Sequence, residues 1–273
     1  MRNPSGRDRV VVEVQGVVIG AGEPVLIAGP CSVETEARTL AIARMVRDRG
    51  AHLFRAGAYK PRTSPSSFQG LRREGLPTLQ RVRAETGLGV VTEVLTPEDV
   101  DTVAEVADIL QVGARNMQNT ALLTRLGECD RPVLLKRGPS ATLEEWLQAA
   151  AYIVAGGNPR VILCERGIRT FDDHSRFTLD LSVIPAVRER SLFPLLVDPS
   201  HATGRREAVL PMARAALAAG ADGILVEVHD HPGMAYSDGR QTIDPATFSR
   251  ISADALLLHQ VLRKESQPLQ LPL

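Results

Sequence analysis

Four residues in the sequence are of types that bind divalent transition metals, although they lie far apart along the chain. They are a thiol, an imidazole and two carboxylates: Cys31, His201, Glu227 and Asp238. A thiolate ligand favours manganese, iron, cobalt, zinc or copper over magnesium, which prefers oxygen ligands. No local motif joins these residues, and a single cysteine or histidine is more often a buried structural residue. The prediction of a metal site therefore depends on whether the fold brings the four together.

A second group of residues is cationic and could bind phosphate or carboxylate groups. Arginine grips such oxyanions through two parallel hydrogen bonds, whereas lysine acts as a point charge. The chain has 32 basic and 32 acidic residues, so a local cluster of cations would form a focused anion site. For any single cation, the alternative is a solvated surface charge. The members of the group are Arg55, Lys60, Arg62, Lys136, Arg137 and Arg166.

Residues 60–65 read KPRTSP and combine two cations with two hydroxyl groups. The prolines constrain the backbone, which suits a loop that holds a phosphorylated sugar along its length. An ordinary turn punctuated by proline is the alternative interpretation.

The elements that must position these residues alternate between strands and helices. Short, mostly continuous apolar runs are typical of parallel strands covered on both faces. They predict strands at residues 25–29, 53–55, 89–94, 109–112, 132–136, 161–165, 194–198 and 223–227. Amphipathic segments predict helices at residues 35–49, 66–85, 97–107, 120–126, 143–155, 175–189, 207–219 and 245–263. The alternation and the number of units predict an α/β fold, a (β/α)8 TIM barrel.

Short segments flank the predicted barrel. Residues 10–14 and 17–19 predict a β-hairpin around Gln15 and Gly16, which could close the bottom of the barrel. We therefore expect an N-terminal hairpin extension at residues 1–24, a catalytic barrel at 25–265 and a C-terminal tail at 266–273. The tail is short enough to fray or to pack on a neighbouring subunit.

The loops after the strands of such a barrel meet at one end, where active sites lie. Each predicted strand is followed there by a residue capable of chemistry, so the metal ligands and the cations should converge. In strand order these residues are Cys31; Arg55 and Lys60; Glu93; Gln111; Lys136 and Arg137; Glu165 and Arg166; Asp198 and His201; Glu227, His229 and Asp238. We expect His229 and His231 to be solvated in a short, wet loop rather than to bind metal.

Composition narrows the class of protein. The balanced charge gives no support for binding to nucleic acid or to an anionic membrane, and no apolar run is long enough to cross a bilayer. Three widely spaced cysteines, Cys31, Cys129 and Cys164, argue against a disulfide framework and favour the cytoplasm. The sequence has neither a glycine-rich nucleotide-binding motif nor the nucleophile elbow of serine hydrolases.

Six segments, in this order, resemble signatures of the 3-deoxy-D-arabino-heptulosonate-7-phosphate (DAHP) synthase family. They are residues 29–34 (GPCSVE), 54–65 (FRAGAYKPRTSP), 111–119 (QVGARNMQN), 135–138 (LKRG), 162–171 (ILCERGIRTF) and 197–204 (VDPSHATG). The resemblance runs from about Val10 to Leu262. It implies the short microbial form, in the branch that also contains 3-deoxy-D-manno-octulosonate-8-phosphate (KDO8P) synthase. Neither a leading ferredoxin-like domain nor a fused chorismate mutase is expected.

The resemblance also implies a reaction and a set of roles. The reaction is a metal-dependent condensation of phosphoenolpyruvate with D-erythrose 4-phosphate to DAHP and phosphate, the first step of the shikimate pathway. Cys31, His201, Glu227 and Asp238 match the metal ligands. The residues implied for phosphoenolpyruvate are Arg55, Lys60, Gln111, Arg115, Lys136 and Arg166. Those implied for erythrose 4-phosphate are Lys60, Pro61, Arg62, Thr63 and Ser64.

Several points stay open at this level. Lys60, Glu93 and His201 are candidates for proton transfer and are not ranked by the sequence, and Cys31 is also a candidate catalytic residue. By family analogy, a homo-oligomer is expected, with a tetramer the common form. The alternatives are KDO8P synthase or a related sugar-acid synthase, a Schiff-base aldolase that uses Lys136, and a non-catalytic sugar-phosphate binding protein. The KDO8P enzymes typically read KANRS where this chain reads KPRTS, which favours the four-carbon aldehyde.

The sequence departs from the family pattern away from the proposed ligands. Ser66 replaces a usual aromatic residue, and Phe177 replaces a usual asparagine. Leu71, Arg72 and Arg73 stand where glycine and acidic residues are common, and residues 230–234 alter the loop before Asp238.

Overall fold

The computed structural model describes residues 8–61, 64 and 66–265, with side chains described through Arg263. An antiparallel hairpin near its start consists of β1 (Val12–Val14) and β2 (Val17–Ile19). Gln15 and Gly16 make its turn with φ angles of 49° and 76°, the positive values that a tight hairpin turn requires. The predicted hairpin is confirmed, with a first strand shorter than predicted.

Eight parallel strands in the described part of the chain close into a barrel, in which the last strand pairs with the first. They are β3 (Val25–Gly29), β4 (Leu53–Arg55), β5 (Gly89–Glu93), β6 (Ile109–Val112), β7 (Val133–Lys136), β8 (Val161–Glu165), β9 (Leu195–Val197) and β10 (Gly223–Glu227). The prediction of a TIM barrel is confirmed. Because all pairs are parallel, the carboxyl ends of the strands share one rim.

The helices surround the barrel, and α7 adds a short turn at its rim that the sequence did not predict. They are α1 (Glu36–Arg47), α2 (Leu76–Thr86), α3 (Val100–Ala104), α4 (Thr120–Gly127), α5 (Leu143–Ala155), α6 (Val183–Arg190), α7 (Pro199–Thr203), α8 (Arg206–Ala218) and α9 (Pro245–Glu265). Short 3-10 turns occur at Arg72–Gly75, Pro97–Asp99, Ala114–Asn116 and Pro232–Met234. None of the described helices is both long and apolar enough to cross a membrane.

The apolar residues form two cores, one on each face of the barrel wall. Side chains such as Ile27, Val91 and Leu134 fill the interior together with Val12 and Ile19 of the hairpin. The hairpin therefore closes the amino-terminal end of the barrel, and Gln15 of its turn bonds Asp108 ahead of β6 at 3.0 Å. A larger core lies between strands and helices. Burial on both faces explains why the strands read as continuous apolar runs.

Two predicted helix starts are wrong because the backbone is not helical at either position. Before α2, Gly70 and Arg72 have φ angles of 84° and 54°, which a right-handed helix does not accommodate. Before α6, the backbone N–H groups of Arg176 and Phe177 donate to Thr203 and Ala202 at 3.1 and 2.8 Å. The next residue, Thr178, forms an antiparallel bridge with Ile168, so the backbone is extended where the helix was predicted to begin. The predicted helix at 97–107 is also shorter, since its first turn is 3-10.

We predict that Gly127→Ala destabilises the contact between α4 and α5. An added Cβ would lie 2.7 Å from both Gly156 Cα and Ile153 O, two backbone atoms that cannot move aside cheaply. Overpacking of this kind typically costs about 1–3 kcal/mol, although alanine favours a helix more than glycine does. Urea and thermal unfolding measure the loss.

Gly233→Ala is the matched control, because nothing lies within 4 Å of its added Cβ. We expect a change within about 0.5 kcal/mol there. Equal unfolding midpoints for the two variants would show that the α4 and α5 backbones do not approach as closely as described.

Candidate active site

Four side chains of metal-binding type meet at the carboxyl end of the barrel. Glu227 is the last residue of β10, Cys31 follows β3, His201 lies in α7 and Asp238 lies in the loop before α9. One ligand atom from each residue lies within 4.8 Å of every other. The fold thus brings together residues that are up to 207 positions apart in sequence.

The ammonium group of Lys60 lies against this cluster. Lys60 Nζ donates to Cys31 Sγ at 2.7 Å, and the thiol donates to Asp238 Oδ2 at 2.8 Å. Burial raises the pKa of Cys31 to about 12, and Glu227 adds to the effect while Lys60 opposes it. A divalent cation at this point would supply the positive charge that stabilises the thiolate.

Glu227 is a fully buried carboxylate with partners on both oxygens. Oε1 lies 3.0 Å from an Arg55 guanidinium nitrogen and 3.2 Å from His201 Nε2, and Oε2 accepts from Gln241 Nε2 at 2.6 Å. Burial alone would raise the pKa of Glu227, but the charges of His201 and Arg55 outweigh it and lower the pKa. The residue is therefore an ionised acceptor held in one orientation.

Asp198 fixes the ring of His201. Its Oδ2 lies 2.6 Å from His201 Nδ1 and 2.5 Å from Lys136 Nζ, while Oδ1 accepts from the backbone N–H of His201 at 2.9 Å. Burial disfavours this carboxylate, but His201 and Lys136 together hold the pKa of Asp198 well below its usual value. Because Nδ1 faces Asp198, Nε2 is the ring nitrogen left for the cluster.

The loop that carries Asp238 is tied down at two points. Asp238 has a φ of 55°, a left-handed conformation that aspartate tolerates better than most residues. Next to it, the buried hydroxyls of Ser237 and Ser32 are 2.9 Å apart. Further back, Glu34 accepts from the backbone N–H of Tyr236 at 2.8 Å.

His229 provides a third anchor, and the expectation that it is solvated is wrong. Its side chain is 0% exposed, and its ring nitrogens lie 3.3 Å from Glu34 Oε2 and 2.8 Å from Asp230 Oδ1. His231 is exposed, as expected. Neither histidine belongs to the metal-binding cluster found among the described residues.

A cavity of about 240 Å³ opens beside the cluster, and cations dominate its wall. Two of them, Lys136 and Arg166, are only 4% and 6% exposed. Buried positive charge that faces a cavity attracts an anionic ligand strongly. The predicted residues that line it are Arg55, Lys60, Pro61, Ser64, Glu93, Gln111, Arg115, Lys136, Arg166, His201 and Asp238.

Glu93 brings a carboxyl group to this cationic wall. It accepts from Gln111 Nε2 at 3.3 Å, and it packs so closely on Gly113 that an added Cβ there would lie 2.0 Å from Glu93 Oε1. Burial raises the pKa of Glu93 against the opposing charges of Lys60 and Lys136. A carboxyl group with a raised pKa can exchange protons closer to neutral pH than an exposed one.

Arg137 does not join the anion site, so that prediction is wrong. Its guanidinium lies 3.1 Å from Glu165 and 2.8 Å from Asp180, and 5.8 Å from the ring centroid of Trp146. Successive side chains along a strand point to opposite faces. Lys136 therefore faces the cavity, whereas the next residue points away and pairs with Glu165 behind the barrel wall.

The loop predicted to hold the sugar phosphate is described only in part. Pro61 and Ser64 line the cavity, and Arg62 and Thr63 lie outside the described residues. Ser67 and Arg176 also line it and were not predicted. Arg176 lies inside a predicted helix, far beyond the end of the preceding strand. A search for residues that directly follow the strands could therefore not identify it.

Known proteins with similar sequences support the interpretation of this site. The model of the DAHP synthetase I family matches residues 9–260. This chain belongs to that family. A relative from Thermotoga maritima, named phospho-2-dehydro-3-deoxyheptonate aldolase, is 51% identical over 241 residues, which is 88% of this chain and 71% of the relative. A 2-dehydro-3-deoxyphosphooctonate aldolase from Syntrophotalea carbinolica is 36% identical, over 85% of this chain and 90% of the relative.

Solved structures agree with the family assignment. The crystal structure of the Thermotoga maritima DAHP synthase superposes with a TM-score of 0.90 at 49% identity, covering 93% of this chain and 75% of that one. A truncated form of the synthase from the same organism gives a TM-score of 0.87 at 45% identity, covering 93% and 94%.

We predict that Gln241→Met weakens metal binding. The substitution removes the 2.6 Å hydrogen bond to Glu227 Oε2 but keeps a side chain of similar length. Loss of a partner that orients a metal ligand typically lowers metal affinity about 10–100-fold. Titration with Mn²⁺ or Zn²⁺ in a chelator buffer measures the affinity.

Gln148→Met is the control, since Gln148 is exposed on α5 and bonds only Glu144 among the described residues. We expect its metal affinity to equal that of the parent protein. An unchanged affinity in Gln241→Met would mean that Gln241 plays no part in orienting Glu227.

Proposed function

We propose that the protein catalyses the condensation of phosphoenolpyruvate with D-erythrose 4-phosphate to give DAHP and phosphate, a transferase reaction that forms a carbon–carbon bond. The observation that carries the proposal is the meeting of a four-residue metal-ligand cluster with a cationic cavity at one rim. The reaction needs both features, because cations must bind two phosphorylated substrates and a metal must polarise the aldehyde. The 51% identical DAHP synthase supports this choice of substrates.

The four clustered residues fit a divalent transition metal. Cys31, His201, Glu227 and Asp238 supply a thiolate, an imidazole and two carboxylates, all within 4.8 Å of one another. Sulfur and nitrogen donors favour manganese, iron, cobalt, zinc or copper over magnesium. When bound, such an ion supplies Lewis acidity toward the aldehyde oxygen.

The buried cations would hold phosphoenolpyruvate. Arg55 lines the cavity, and its buried Nε has no hydrogen-bond partner among the described residues. An unpaired buried donor of this kind suits a substrate oxyanion. Together the buried cations would neutralise the carboxylate and phosphate of phosphoenolpyruvate and hold its nucleophilic C3 in position. We assign to this site Arg55, Lys60, Gln111, Arg115, Lys136 and Arg166.

The loop from Lys60 to Ser64 would select the aldehyde. Lys60, Pro61 and Ser64 line the same cavity as the metal ligands His201 and Asp238. By resemblance, Arg62 and Thr63 belong to the same binding loop, and a guanidinium and a hydroxyl are groups that bind the phosphate of a sugar phosphate such as erythrose 4-phosphate.

We propose Glu93 as the main proton carrier. His201 turns Nδ1 to Asp198 and Nε2 to the cluster, so neither nitrogen is available when Nε2 binds a metal. Lys60 bonds Cys31 and would serve chiefly to bind substrate. Glu93 lines the cavity, and burial raises its pKa. It can therefore move a proton as water adds at C2 and phosphate departs.

KDO8P synthesis is the second candidate, because two relatives named 2-dehydro-3-deoxyphosphooctonate aldolase are 36% identical to this chain over most of their length. The KPRTS loop favours the four-carbon aldehyde instead. The Schiff-base alternative loses support, since Lys136 Nζ lies 2.5 Å from the Asp198 carboxylate. An ammonium held in a buried ion pair is a poor nucleophile toward a carbonyl group.

We further propose a cytoplasmic protein that forms a homo-oligomer, a tetramer by family analogy. The free state of Cys31, Cys129 and Cys164 supports a reducing compartment. Exposed apolar side chains on α9, among them Leu257 at 60% and Val261 at 53% exposure, suit a contact between subunits. The division into hairpin extension, catalytic barrel and tail stays a prediction.

We predict that phosphoenolpyruvate is consumed with erythrose 4-phosphate and at least tenfold more slowly with arabinose 5-phosphate, since the loop through Ser64 selects the shorter sugar. A tenfold preference corresponds to about 1.4 kcal/mol. Sugar acid and phosphate are both quantified. Chelation should abolish the reaction, and added Mn²⁺, Co²⁺ or Zn²⁺ should restore it.

Borohydride added during turnover serves as a control for covalent chemistry and should trap no adduct. Full activity after exhaustive chelation would refute the role of the metal. Preference for arabinose 5-phosphate would assign the chain to the KDO8P activity instead.

We predict that Glu93→Gln lowers the rate constant of the condensation about 100-fold or more, because loss of a general acid or base typically costs this much. Glutamine can still accept from Gln111, so the binding of phosphoenolpyruvate should change little. Steady-state kinetics and calorimetric titration separate the two effects. Glu98→Gln, an exposed site after the same strand, should leave both unchanged, and an undiminished rate in Glu93→Gln would exclude the proposed role.

A further inference from the structure

Arg166 and Arg176 form a pair of cations beside the cavity without a carboxylate partner. Both line the cavity, and within the described part of the chain no carboxylate lies within ion-pair distance of either guanidinium. Their neighbours differ in this respect, since Lys136 pairs with Asp198 and Arg137 with Glu165. Two unpaired positive charges held together attract an anion.

The two guanidinium groups repel each other and that of Arg166 is buried, so the pair is unfavourable unless an anion binds to it. Burial lowers the pKa of Arg166 against the opposing charge of Asp198, and the positive charges of Arg176 and Arg115 act with burial. Arg166 is 6% exposed, whereas Arg176 is exposed. The pair therefore runs from the buried wall of the cavity to its opening.

Phe177 contacts both guanidinium groups. Its ring centroid lies 4.5 Å from Cζ of Arg166 and 5.6 Å from Cζ of Arg176. The face of an aromatic ring attracts a cation within about 6 Å. One ring thus keeps two arginines in register, which gives a physical role to a residue that departs from the family pattern.

The backbone around Arg176 is fixed despite the exposure of its side chain. The N–H groups of Arg176 and Phe177 donate to Thr203 and Ala202 of α7, at 3.1 and 2.8 Å. Gly167 and Gly204 permit this packing, because an added Cβ at either would lie 2.7 Å from Cβ of Phe177 or Arg176. The loop and the helix of His201 therefore form one packed unit.

Gln241 orients the guanidinium of Arg176 from the other side. Its Nε2 donates to Glu227 at 2.6 Å, so its Oε1 is the atom left to accept from Arg176, at 3.3 Å. An amide held at its nitrogen presents its oxygen in a defined direction.

We propose that Arg176 is a phosphate-binding residue of the site, acting with Arg166 on the phosphoryl group that phosphoenolpyruvate brings and that leaves as inorganic phosphate. Phe177 acts as a positioning residue that holds the two guanidinium groups together. The inference rests on the proposed function for the identity of the anion, whereas the anion site itself is defined by the unpaired arginines.

Arg176→Gln tests the assignment. We expect it to weaken binding of both phosphoenolpyruvate and inorganic phosphate about tenfold, the effect of losing one charge-assisted hydrogen bond, with an unchanged KM for erythrose 4-phosphate. Phe177→Leu should weaken the same two ligands about two- to fivefold, as expected for a partly exposed cation–π contact. It should raise the KM for phosphoenolpyruvate and leave kcat nearly unchanged. Calorimetric titrations and steady-state kinetics give these values.

Arg169→Gln is the matched control, because it removes the same charge from the same loop at an exposed residue that does not line the cavity. Its affinities should equal those of the parent protein. Metal content is measured in every variant, and loss of metal in Arg176→Gln would mean that the arginine acts only through Gln241 and Glu227, which overturns the proposal.

The binding data separate failure of this inference from failure of the proposed function. Equal phosphate affinity in Arg176→Gln and the parent overturns the inference, whether or not the condensation occurs. Tenfold weaker phosphate binding supports it even if the parent shows no turnover, in which case only the proposed function fails. A raised KM confined to erythrose 4-phosphate would assign Arg176 to the other substrate and also overturn it.

Discussion

The buried carboxylate of Asp198 links the two halves of the candidate site. One of its oxygens contacts both the ring of His201 and the ammonium of Lys136, while the other caps the helix that carries His201. Because the residue is 0% exposed, loss of either the His201 ring or the Lys136 ammonium would remove a partner from a charge buried in the protein interior, a strongly unfavourable change. The position of the imidazole at the metal cluster and the position of the lysine at the anion cavity are therefore not independent.

This coupling explains the placement of the other charged residues at the rim. Glu227 contacts Arg55 and His201, and Asp198 contacts Lys136 and His201, so each of these two buried carboxylates has two cationic or ionisable partners. Arg166 lacks such a partner in the described part of the chain and lies beside the cavity instead. Buried charges whose partners come from the protein set the geometry, and those without such partners define where a ligand binds.

Much of this arrangement follows from the sequence, and the remainder does not for physical reasons. Strand ends were predictable because an apolar run stops where the chain leaves the barrel, and this located Cys31, Glu93 and Glu227. The alternation of side chains along a strand could also have separated Lys136 from Arg137. Burial of His229 could not be seen, since its partner Glu34 is 195 positions away. The start of α6 was missed because residues 176–178 pair with backbone groups outside the predicted helix, including an antiparallel bridge to Ile168, and such contacts leave no local pattern.

The hairpin of β1 and β2 has a consequence for how such a protein changes over evolutionary time. It fills the end of the barrel opposite the rim with apolar side chains, so much of the interior packing lies away from the residues that contact ligands. Substitutions in the rim loops therefore have little effect on the stability of the barrel. New substrate preferences can accumulate in the loops by small steps, without each step also having to preserve the fold.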